Sequence, residues 1–162
     1  MYEIKIIGAD VLRKKAKEIA DFNHNLKKIT DDMLETMHHF KGIGLAAPQV
    51  GILERIIVTD VSSQEQGSQS MVFVNPRIIE SWGEKIYEEG CLSIPGVNEN
   101  ILRPEKIFLH YQDIDGKKKT AEFESWMARV LQHEIDHLNG ILFIDYLSPI
   151  KKKLVLNKFE PV

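Results

Sequence analysis

Two histidines four residues apart, His133 and His137, stand in the stretch QHEIDHLNG with Glu134 directly after the first. On a helix, positions i and i+4 share a face, so both imidazoles reach one ion. Glu134 is turned away from that stripe by one residue, placed to touch water at the ion without ligating it. Two histidines are an incomplete site. In the longer metalloprotease pattern a further histidine follows the glycine, but here Gly140 is followed by Phe143 at that spacing, and phenylalanine cannot ligate. Downstream of His137 the only glutamate is Glu160. The remaining strong donor is Cys91, the chain's single cysteine, in the turn-like stretch EGCLSIPG. A lone cysteine is more often a small buried hydrophobe, but a two-histidine site in need of a third ligand reverses that preference.

Two imidazoles and a thiolate leave a fourth position open, the arrangement of a catalytic centre. Water held there has a pKa lowered toward ~7, with Glu134 as the natural general base. Hydrolysis of a carbonyl also needs donors for the oxyanion. Gln49, in the glycine-broken stretch GIGLAAPQVG, offers a side-chain amide, and Leu92, beside Cys91, a backbone N–H. A loop glutamine is otherwise simply solvated. On the helix, Trp126 and Val130 continue the His133/His137 stripe as an apolar wall, with Ile43 and Tyr87 as candidates for the opposite side; plain core packing explains Trp126 and Val130 about as well. Residues 43 to 45 (Ile43, Gly44, Leu45) are suited to pair by backbone with an extended peptide.

These residues must be positioned by the rest of the chain. The stretch SWMARVLQHEIDHLNG is the strongest helix pattern, with Ser125 expected as N-cap and Gly140 at its C-terminal end. HNLKKITDDMLETMHHF predicts a second helix, and DVLRKKAKEIA, residues 10 to 20, a short one capped by Asp10. MYEIKIIGAD reads as a first strand. RIIVTDV, MVFVNPRII and EKIYEEG read as strands, SSQEQGSQS as a surface loop, and KIFLHYQDIDGKKKTAEF as a hairpin about Asp115-Gly116. IKKKLVLNK after Pro149 predicts a short basic C-terminal helix at about 149–160. DIDG lacks the remaining positions of a calcium loop and reads as a turn. Arg103 is a candidate partner for Asp136, bracing the HExxH helix.

The order of elements predicts an α+β fold, a single domain over residues 1–162 with antiparallel or mixed strands around a central HExxH helix. The chain has 162 residues, 43% hydrophobic and 28% charged, with net charge −3. That balance fits one globular domain and argues against nucleic acid as a sequence-specific ligand. No apolar run approaches the ~20 residues of a membrane span. The start has no secretory-signal pattern, and one cysteine forms no internal disulfide, so the cytoplasm is the expected compartment.

Together and in this order, GIGLAAPQVG, EGCLSIP and QHEIDH resemble the three signature motifs of peptide deformylases, and the likeness extends from the first residues to DYLSP. The resemblance implies an α+β fold and a metal-dependent hydrolase that removes the N-formyl group from the initiator methionine of nascent chains, by attack of metal-bound water on the formyl carbonyl. It implies Cys91, His133 and His137 as ligands of Fe(II), replaceable by nickel, cobalt or zinc. It also implies Glu134 as general acid/base, Gln49 and the Leu92 amide as oxyanion donors, and ribosome contact through the C-terminal helix. Asn98 stands where some members carry a substrate-holding arginine. The competing expectations are a small zinc endopeptidase, disfavoured by Phe143, and a non-catalytic metal- or peptide-binding module.

Overall fold

A computed structural model describes residues 1–159. Helix α1 spans His24–His39, and the strands are β1 (Gly44–Ala46), β2 (Ile56–Thr59), β3 (Met71–Trp82), β4 (Lys85–Cys91), β5 (Ile94–Arg103), β6 (Lys106–Gln112) and β7 (Lys118–Glu124). Helix α2, Ser125–Leu138, carries the HExxH stretch, and α3 is Pro149–Asn157. A five-stranded sheet in the order β1-β2-β3-β6-β7 and a separate β4-β5 hairpin are both antiparallel. This is the α+β arrangement expected.

The continuous apolar run IIVT of β2 is explained by burial on both faces. Ile56 and Val58 pack with Leu26, Met33 and Met37 of α1, whereas Ile57 packs with Val130 and Leu131 of α2. Helix α2 therefore lies against one face of the large sheet and α1 against the other. A third cluster joins the hairpin residues Ile94, Val97 and Ile101 to Leu142, Phe143, Ile144 and Val155. With neighbours on several sides, α2 buries even Arg129, Gln132, His133, Glu134 and His137.

Several local expectations are corrected. Residues 1–9 form no strand; they run as a strap, with the Lys5 N–H donating to the Gln49 carbonyl (2.7 Å) and the Ile7 N–H to the Ser93 carbonyl (2.8 Å). The helix expected over 10 to 20 is a single 3-10 turn, Asp10–Arg13, without a side-chain cap. Tertiary bonds outcompete its helical propensity: Ala16 N–H donates to Leu138 O, Lys17 pairs with the Leu53–Arg55 backbone, and Asn75 holds both backbone groups of Ile19. Strand β5 was not foreseen, because its Pro, Gly and Asn residues read as loop. Ser125 does not cap α2; it is the first helical residue, at φ 57°, and Glu65 from the 60–70 loop accepts the Trp126 N–H instead (2.9 Å). Gly140, at φ 74°, closes that helix as expected. Helix α3 ends at Asn157, earlier than expected, and Glu160, the last residue of the expected helix, lies outside the described residues.

Candidate active site

The site is assembled from three segments that meet on one face of α2. Strand β4 ends at Cys91, and a tight turn returns the chain at Ile94, with Cys91 opposite Ile94 after a register shift. The turn presents the thiol to α2. Cys91 Sγ lies 3.3 Å from His137 Nε2, and one ligand atom from each of Cys91, His133 and His137 falls within 4.8 Å of the others. Among the described residues this is the one such cluster of potential metal ligands. Its donors, a soft cysteine sulfur and two imidazoles, suit iron, nickel, cobalt or zinc.

A metal-ligating histidine needs a partner for its second nitrogen. His133 Nδ1 is 2.8 Å from Glu89 Oε1. Glu89 is also held by Arg103 through Nε (2.7 Å) and Nη2 (3.1 Å), and by Arg129 Nη1 (2.6 Å). Burial alone would raise the Glu89 pKa, but the bonds from His133 and Arg103 outweigh it and hold the carboxyl at about 2. Arg103 continues to Asp136 Oδ2 (2.8 Å), which also accepts the Tyr146 hydroxyl (2.7 Å). The Arg103–Asp136 brace is thus present, and a second carboxylate joins it. Sequence reasoning missed Glu89 and Arg129. A signal was available for Glu89, which stands two residues before Cys91 on β4. Burial pushes His137 down, towards the neutral form that ligates. Burial also disfavours a charged His133, but its contacts with Cys91, Glu134 and Glu89 raise it, so protons and a cation compete for this ring.

Glu134 is buried, and its Oε1 has no hydrogen-bond partner in the protein. Burial is the main cause that lifts its pKa to about 7, the range suited to a general base. It approaches β1 closely: a Cβ added at Gly44 would stand 2.7 Å from Glu134 Oε2 and 2.6 Å from Val130 Cγ1. A larger residue there would force Glu134, Val130 or β1 to shift. Gln49 follows β1 in a short 3-10 turn, Ala47–Val50. Its Oε1 accepts the Ala46 N–H (2.9 Å), while its Nε2 faces Ser93 Oγ (3.1 Å) and Cys91 Sγ (3.5 Å).

A groove of about 670 Å³ runs over these groups. Ile43, Gly44, Gln49, Cys91 and Leu92 line one part; Trp126, Val130, His133 and Glu134 line another. Two expected pocket residues stand elsewhere. The Leu45 side chain packs with the α1 cluster, because strand alternation turns it to the other face of the sheet. Tyr87 lies behind the wall, stacked on Trp126 with ring centroids 4.8 Å apart and capped by the Arg129 guanidinium at 4.9 Å. Asn98 lines the groove opposite Gly90. Phe143 is buried and stacks on the His133 ring at 5.8 Å, so the position that lacks a third histidine contributes packing.

The model of the polypeptide deformylase family matches residues 1–153. A peptide deformylase of Thermodesulfovibrio yellowstonii is 49% identical over 158 residues, covering 98% of this chain and 96% of that protein. One from Thermotoga maritima is 46% identical over 163 residues, covering 100% and 96%. Among solved structures, a Legionella pneumophila peptide deformylase superposes with TM-score 0.90 at 39% identity, covering 99% of both chains. That of Synechococcus elongatus in complex with actinonin gives TM-score 0.91 at 38% identity, covering 97% and 86%. With its cysteine–histidine cluster, buried glutamate and groove in place, this chain belongs to the polypeptide deformylase family, metal-dependent hydrolases that remove the N-formyl group from nascent peptides.

Proposed function

We propose that Cys91, His133 and His137 hold the metal of this deformylase and that Glu134, Gln49 and the Leu92 N–H carry out its proton transfer and charge stabilisation. The observation that carries this reading is the convergence of the three ligand atoms within 4.8 Å, beside a buried glutamate. We assign Fe(II) as the native ion, with nickel, cobalt or zinc as replacements; held by these three residues, it would supply Lewis acidity and would lower the pKa of water at the site toward ~7.

The protein groups then divide the work. Glu134 accepts a proton as water adds to the formyl carbon and delivers it to the departing amine. Gln49 Nε2–H and the Leu92 N–H donate to the oxygen on which negative charge develops. Trp126, Val130 and Ile43 receive the methionine side chain, with Tyr87 supporting Trp126 from behind. Gly44, on edge strand β1, offers its backbone to an extended formyl-methionyl peptide. Among the described residues no helix is long and apolar enough to cross a membrane, and we assign the enzyme to the cytoplasm. Helix α3 presents Lys151 and Lys153 beside exposed Ile150 and Leu154, and we assign it to contact with the ribosome, whose RNA attracts such a basic surface.

The test separates ligand from base. Cys91→Ala removes one of three protein ligands, so metal content and activity fall together. Glu134→Gln preserves volume and removes the basic site, so the protein stays loaded while kcat falls ~10²–10⁴-fold. A metal-loaded Glu134→Gln enzyme working at the parent rate on a formyl-methionyl peptide would refute the assignment.

A further inference from the structure

The amide of Gln49 is almost completely buried, so each of its polar atoms needs a partner. Its Oε1 is committed to the Ala46 N–H at 2.9 Å. Its Nε2 donates one hydrogen to Ser93 Oγ at 3.1 Å and the other to Cys91 Sγ at 3.5 Å. A primary amide is planar. Two fixed bonds, one at each end, therefore fix the direction of the remaining N–H. Here that direction is toward Cys91 Sγ, at the edge of the groove; the weak sulfur acceptor can give way to a substrate oxygen.

Ser93 is itself held rigidly. It is fully buried in the turn that follows Cys91, and its carbonyl accepts the Ile7 N–H at 2.8 Å. The Gln49 carbonyl accepts the Lys5 N–H at 2.7 Å from the same N-terminal strap. Residues 5 and 7 thus clamp two loops that are 44 residues apart in sequence. We propose that Ser93 is a positioning residue for deformylation: its hydroxyl accepts from Gln49 and holds that amide ready to donate to the oxyanion, while the strap keeps the two loops in register. This rests on the reading of Gln49 as an oxyanion donor.

Without the Ser93 hydroxyl, a buried N–H loses its acceptor and the amide is no longer held in the orientation that faces the ligand cluster. The oxyanion is formed only in the transition state, so the loss falls on kcat. The groove contacts made by Ile43, Gly44 and Trp126 are untouched, so KM holds.

The experiment is a double-mutant cycle in the metal-loaded, full-length enzyme, with Gln49→Ala, Ser93→Ala and the pair assayed on a formyl-methionyl peptide. Gln49→Ala lowers kcat by ~10²–10³-fold, as loss of one oxyanion donor does. Ser93→Ala lowers it by about 10- to 100-fold, with KM and metal content within twofold of the parent. The double variant is no slower than Gln49→Ala alone, because Ser93 acts only through that amide. Losses that multiply in the double variant, or a parent-like kcat for Ser93→Ala beside a crippled Gln49→Ala, overturn the role of Ser93 and leave Gln49 in place. A parent-like kcat for Gln49→Ala removes the donor reading and the role of Ser93 with it.

Discussion

Replacing Glu89 with glutamine tests the buried network that holds His133. Glu89, Asp136, Arg103 and Arg129 together sum to zero charge, and the side chains of Glu89, Arg103 and Arg129 are 4%, 5% and 3% exposed. Glutamine keeps the volume and removes one negative charge. Arg103 retains Asp136 at 2.8 Å, but Arg129 keeps no anionic partner, only the carbonyls of Ile101 and Lys85 and the face of Tyr87. An uncompensated charge in such surroundings costs about 3–5 kcal/mol, a large part of the 5–15 kcal/mol that typically separates folded from unfolded domains. His133 also loses its carboxylate acceptor, which weakens metal binding by about 10- to 100-fold. The assay is denaturant unfolding at fixed free-metal concentration, since metal itself stabilises the fold, with chelator competition for the affinity. Glu89→Gln with Arg129→Met removes the stranded cation and recovers much of the stability while the metal affinity stays low. If Glu89→Gln alone unfolds within about 1 kcal/mol of the parent and binds metal equally, this account of the network is wrong.

Three further outcomes follow from single contacts. Gly44→Ala places a Cβ 2.7 Å from Glu134 Oε2; displacement of the base lowers kcat about 10²-fold with metal retained, and a fully active variant would show that β1 yields instead. Asp145 is paired with Arg13 and Lys152, and despite partial burial these bonds hold its pKa at about 2, below its usual value of 3.8. Its stabilising contribution, about 1 kcal/mol after solvent screening, is therefore present above pH 3.8 and lost as pH falls toward 2; Asp145→Asn flattens that part of the unfolding midpoint against pH. Cys91 is only half-buried and opens to the groove, so the iron form loses activity on aerobic storage through oxidation of metal and thiol while the nickel form persists, and equal decay of both forms would place the lability elsewhere.

Residue type and local period were enough to single out Cys91, His133 and His137, which the fold brings together. The i, i+4 histidines need only a helix to share a face, and the HExxH helix is strongly periodic. The thiol was reached by counting donors, and the turn around Cys91 by its Gly and Pro. The antiparallel hairpin about Asp115-Gly116 was legible for the same reason, since its turn chemistry is local. What lay outside the sequence was decided by groups distant along the chain. DVLRKKAKEIA has helical propensity, yet bonds to Leu138, Leu53 and Asn75 draw it out of a helix. Ser125 looks like a cap, but Glu65 takes the N–H that a cap would serve. Leu45 and Gly44 are neighbours in sequence, and the sheet sends one side chain to α1 while pressing the other position against Glu134. The place of Glu89 beside Cys91 was legible, but its supporting work was not, because it depends on Arg103, Arg129 and His133, 14 to 44 residues away. A helix or a turn is specified by nearby residues, whereas the partners that satisfy a buried charge or amide exist only once the chain has packed.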